Sequence, residues 1–175
     1  MKLLTYKFFL VVIYLISTVI SFSEEPNIKN LVILKQNKKV ENVFFNDVNS
    51  KVINLNEFRG KLIIVNFWAT WCAPCREEMP SLDNLQAHKD LKNLKILPIN
   101  VGQEKIEKSI NFFNELNIKN LDLYYDDSIN LAKKFTLRGL PTSILINKNG
   151  EEFARIVGSI DFFEDDFIKW LSDYN

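Results

Sequence analysis

Apolar residues along this chain change their spacing several times, and the changes divide it into elements. Residues 1–23 hold an uncharged apolar stretch from Phe8 to Ile20 behind Lys2 and Lys7. Residues 24–39 turn polar, carry Pro26 and keep one apolar patch at 31–34, a composition that reads as a linker. "VENVFFNDVNSKVINLNEF" sets two β-branched, aromatic-rich runs around an Asp-Val-Asn-Ser turn and predicts a short hairpin. "LIIVNF" at 62–67 is an apolar run but for Asn66, as a central strand is when both its faces are covered.

Helical spacing follows. From Ala73 to about Lys89, Met79, Leu82 and Leu85 fall on one side and charged residues on the rest, with Pro80 expected to kink the helix. "LKILPINV" is the next strand. A helix over roughly 104–116 places Ile106, Ile110 and Phe113 inward at i, i+4, i+7. "LDLYY" is another strand, and Asp126 and Asp127 can cap a short helix over 128–135. "GLPTSILIN" and "EEFARIVG" flank Asn149-Gly150, a tight hairpin turn. The last helix begins near Asp161, with Phe163, Phe167, Trp170 and Leu171 on one face. This order predicts one α/β domain over 40–175: a mixed sheet with helices on both faces, plus an N-terminal β-hairpin extension. The helix after "LIIVNF" should leave the carboxyl end of that strand, at the edge of the sheet.

Composition narrows the function. A chain of 175 residues has room for one domain and a short appendage. Its 22 basic and 22 acidic residues cancel, so no basic footprint for nucleic acid exists. The apolar head closes on Ser21-Phe22-Ser23, a small-x-small pattern suited to a signal peptidase. A spanning helix needs about 20 apolar residues. Residues 1–23 are therefore read as a signal peptide, with an uncleaved anchor in the inner membrane as the alternative. Either reading puts the domain outside the cytoplasm, in the periplasm.

In that compartment the only two cysteines, Cys72 and Cys75, have three uses. As a staple they close a loop of about four residues, the length that constrains an unfolded chain least. As a metal clip they supply two thiolates where structural zinc takes about four ligands; copper(I) can accept two. As a reagent, one thiolate attacks a disulfide and the other resolves the mixed disulfide. Cys72 faces a helix start, where free N–H groups and the helix dipole favour an anion, so it reads as the nucleophile. Cys75, inside the first turn, reads as the resolver. Pro74 supplies no N–H to the thiolate, which points to a reductant.

"NFWATWCAPCREEMP", with the downstream "GLPT", resembles the active-site segments of thioredoxin-fold proteins, and specifically the TlpA/ResA-like branch. The likeness runs over about residues 40–173. It implies a thioredoxin fold without cofactor or metal, with Cys72 and Cys75 as the redox pair and Pro141 as a cis-proline facing them. Only about 5% of X–Pro bonds are cis in folded proteins, so the expectation for Pro141 comes from the likeness alone. A cis bond there would turn the Leu140 backbone toward an extended substrate segment. The branch includes thiol reductases of cytochrome c maturation. It therefore implies a monomer whose partners are client protein disulfides, in apocytochrome c or copper-site assembly, and a membrane thiol electron donor.

Four other residues sit near the pair. Glu78, three past Cys75, shares its helix face and could take Cys75's proton or merely decorate an early turn. Asn66 stands where ordinary thioredoxins carry a buried Asp, which removes that proton route and favours Glu78. Trp71 gives the site an apolar rim for substrate proteins, and Trp68 is read as core. Arg76 and His88 are read as solvated. Two other functions remain open. A thiol peroxidase would want a proline and a Thr three residues before its cysteine, whereas Thr70 is two before Cys72. A copper(I)-binding module would use the two thiolates without catalysis.

Overall fold

The computed structural model describes residues 26–175 apart from Asp127. The apolar head at 1–23 and the expected cap Asp127 lie outside the described residues. Within them, no helix is long and apolar enough to cross a membrane.

Among the described residues eight strands form one mixed sheet. In chain order they are β1 (Leu31–Lys39), β2 (Phe44–Asp47), β3 (Val52–Asn54), β4 (Leu62–Trp68), β5 (Leu94–Asn100), β6 (Tyr124–Tyr125), β7 (Thr142–Ile146) and β8 (Glu151–Val157). Their spatial order is β1-β8-β7-β4-β5-β6-β2-β3. β4 pairs parallel with β5 and antiparallel with β7. All seven β4 residues are buried, as a run apolar but for Asn66 predicts. Among the described residues four α-helices, besides a 3-10 turn at Leu55–Phe58, complete the fold: α1 (Ala73–Gln86), α2 (Ile106–Glu115), α3 (Asn130–Lys134) and α4 (Asp165–Ser172).

Alternate β4 residues divide the core. Leu62, Ile64 and Trp68 pack with Met79, Leu82 and Leu85 of α1, Phe112 and Phe113 of α2, and Phe167 and Leu171 of α4. Ile63, Val65 and Phe67 pack on the other face with Leu131 of α3, Phe135 and the hairpin residues Phe45 and Ile53. Helices therefore cover both faces, and β2–β3 is the expected hairpin.

Several expectations need correction. Residues 31–39, read as linker, form β1 and pair antiparallel with β8. An edge strand is held by backbone bonds and can keep polar side chains in solvent. On α2 the buried residues are Ser109, Phe112 and Phe113, while Ile110 is 41% exposed. In the last helix Phe163 precedes the first turn and is exposed, whereas Phe162 is fully buried. α1 contains Pro80 and ends at Gln86, short of the expected Lys89. Asp126 does steady the short helix, but from further back: its Oδ2 accepts the Leu131 N–H at 2.7 Å.

Candidate active site

β4 ends at Trp68, and four residues later Cys72 caps α1 with extended backbone, φ −86° and ψ 104°. Its Sγ accepts the backbone N–H of Cys75 at 3.3 Å, the contact by which a helix start favours negative charge. The two sulfurs are joined, with S–S 2.10 Å. Cys75 is fully buried and Cys72 is 5% exposed, so Cys72 is the residue of the pair nearer to solvent. Trp71 beside it is 68% exposed, while Trp68 is fully buried against Phe112 and Phe113.

The Leu140–Pro141 peptide bond is cis. Thr142 stands opposite Phe67 in the β4–β7 register, which puts Pro141 at the sheet end where the Cys72 loop departs. The Pro141 carbonyl accepts the N–H of Gly158 at 3.0 Å. Leu140 is half-buried and packs against the core cluster that contains both cysteines.

Glu77 is exposed, but Glu78 is 2% exposed, so Glu78 is no surface ornament. Its Oε1 accepts the Asn66 side-chain N–H at 2.8 Å, and Asn66 also donates to Ser143 Oγ at 3.0 Å. Among the described residues no group donates to Glu78 Oε2 or pairs with Asn66 Oδ1. Burial pushes the Glu78 carboxyl up to about 8, against the opposing pull of the Asn66 amide and the Ile160 backbone N–H. Ser81 Oγ donates to the Glu78 carbonyl at 2.7 Å and accepts the Phe162 N–H at 3.0 Å, which ties α1 to the loop after β8.

Arg76, read as solvated, is exposed, and it pairs with Glu115 at 2.7 Å and lies 4.8 Å over the Phe112 ring. His88, past the end of α1, meets Phe163 edge-on at 5.8 Å. Reasoning from the sequence missed Ser143 and Glu104, whose side chains meet the redox segment from far along the chain.

A model of the AhpC/TSA family matches residues 36–151. The thiol-disulfide oxidoreductase ResA of Bacillus subtilis (strain 168) is 30% identical over 127 residues, 73% of this chain and 70% of that protein. This chain is a ResA-like redoxin of the AhpC/TSA family. The redoxin is a thiol–disulfide oxidoreductase, as that likeness and the fold together show. A thiol:disulfide interchange protein of the thioredoxin family from Chlorobium tepidum TLS superposes with a TM-score of 0.66 at 25% identity, over 78% of the redoxin and 97% of that chain. A DsbF homologue from Corynebacterium diphtheriae shares the fold at 21% identity, with a TM-score of 0.67 over 86% and 96% of the two chains. The thioredoxin fold expected from the sequence is thus present.

Proposed function

We propose that this redoxin reduces disulfides of extracytoplasmic client proteins, with Cys72 as nucleophile and Cys75 as resolver. The observation that carries it is the arrangement at the start of α1: Cys72 caps the helix nearer to solvent and Cys75 is fully enclosed one turn on. The reduced Cys72 thiolate attacks one sulfur of the client disulfide and expels the other as a thiolate. Cys75 then attacks Cys72, releases the second client thiolate and leaves the Cys72–Cys75 disulfide. Two electrons pass to the client, and a membrane thiol donor restores them.

Resolution requires Cys75 to lose its proton. Glu78 follows it by three residues on α1, and transfer to that carboxylate leaves a neutral acid beside a disulfide. A carboxyl pushed up to about 8 favours this end state, and only its ionised fraction, which grows as pH nears that value, can take the proton. Trp71 and the Leu140–Pro141 backbone supply the docking rim and the edge for an extended client segment. The clients are apocytochrome c or copper-site assembly proteins, met by a monomer in the periplasm. That location rests on residues 1–23, as a signal peptide or an inner-membrane anchor.

A Cys75→Ser variant tests the roles. It should accumulate a client covalently bound through Cys72, seen as a reducible adduct on a non-reducing gel. Adducts on Cys72→Ser and none on Cys75→Ser would reverse the assignment.

A further inference from the structure

We propose that Glu104 is a positioning residue for the exchange reaction, holding the approach to Cys72 so that Trp71 is presented to a client peptide. The proposal rests on the reading of Cys72 and Trp71 given above.

Trp71 is 68% exposed. An aromatic side chain in solvent has little packing to fix it, so its place is set by the backbone that carries it. That backbone is gripped at Thr70. Glu104 Oε1 accepts the Thr70 backbone N–H at 2.8 Å, and Oε2 accepts the Thr70 hydroxyl. Both oxygens of one carboxylate therefore serve one residue, in charge-assisted bonds stronger than neutral ones.

The carboxylate is itself anchored. Asn100, at the end of β5 and 3% exposed, reaches Glu104 Oε1 at 3.4 Å, donates to Ser109 Oγ at 2.8 Å and accepts the Gly102 N–H at 2.7 Å. Gly102 lets the two loops meet: a Cβ there would lie 2.8 Å from the Ala69 Cβ and collide with the Glu104 carboxylate. Farther along the same stretch, Phe112 and Phe113 hold Trp68, and Glu115 holds Arg76. Residues 104–115 thus clamp the redox segment on both sides of Cys72, and Glu104 is the part that reaches the Trp71 side.

The test uses the full chain with dithiothreitol as reductant and two substrates, a peptide disulfide and hydroxyethyl disulfide. For Glu104→Ala, the peptide KM should rise about tenfold while kcat changes less than about twofold, the combined scale of the two bonds it removes. Glu104→Gln, which keeps an acceptor for the Thr70 N–H and a polar partner for its hydroxyl, should recover most of that loss. Thr70→Ala should raise KM about threefold, consistent with one lost bond. An unchanged KM in Glu104→Ala, a fall in kcat alone, or a Glu104→Gln as impaired as the alanine variant overturns the proposal. If Glu104→Ala does not fold, Thr70→Ala decides: an unmoved KM overturns it. Wild-type protein that reduces neither substrate would instead sink the reading of the site itself.

Discussion

Asn66 donates its side-chain N–H to Glu78 Oε1 across 2.8 Å, joining the middle of β4 to the second turn of α1 behind the cysteines. Both residues are almost wholly buried. One oxygen of the carboxyl is thereby held, and burial favours its neutral form.

Glu78 should make stability depend on pH. Its carboxyl lies at about 8 in the fold against an ordinary value of 4.5. Below 4.5 it is protonated both folded and unfolded, so it exerts no pH effect there. Between those values the folded state holds one more proton than the unfolded, so stability falls as pH rises and levels off above about 8. Glu78→Gln should remove that slope and be the more stable of the two at high pH, by a few kcal/mol. Urea midpoints of both proteins across the range check this; parallel curves would refute it.

Asn66→Leu should act in the opposite sense. The Asn66 amide pulls the Glu78 carboxyl down, so its loss raises that group further and extends the pH slope upward. It also leaves Glu78 Oε1 and Ser143 without their donor, at a cost of about 1–3 kcal/mol. Chemical denaturation measures the cost, and its pH series measures the shift.

Gly102→Ala should destabilise by about 1–3 kcal/mol, the usual scale of overpacking, because the added carbon would sit 2.8 Å from the Ala69 Cβ. Thermal unfolding measures it. Gly139, around whose Cβ position nothing lies within 4 Å, is the control and should tolerate alanine.

Trp71→Ala should leave stability within about 0.5 kcal/mol, as expected of an exposed side chain, yet raise KM for a peptide disulfide. Steady-state kinetics beside a melting curve separate the two effects. A variant that melts early with unchanged KM would make Trp71 structural.

The parts of this molecule legible in its sequence are those whose cause is local. β4 announces itself because burial on both faces demands a run apolar but for Asn66, and the cysteine pair because its two members are three residues apart. The inward face of α2 was misread because the spacing count admits only apolar residues. Ser109 takes an inward place instead, satisfied by Asn100 at 2.8 Å, and Ile110 turns out. β1 stayed hidden because its evidence is the pairing with β8, more than 100 residues away. Glu104 and Thr70 are 34 residues apart, and nothing in either neighbourhood names the other. Glu78 was suspected from its spacing to Cys75, but only burial separates it from Glu77.

The strand registers carry one more consequence. Leu31 faces Ile156, Val157 faces Thr142, and Thr142 faces Phe67. The chain therefore enters the sheet on the same rim from which the Cys72 loop leaves it. A partner that docks at the dithiol therefore approaches the rim on which β1 also opens.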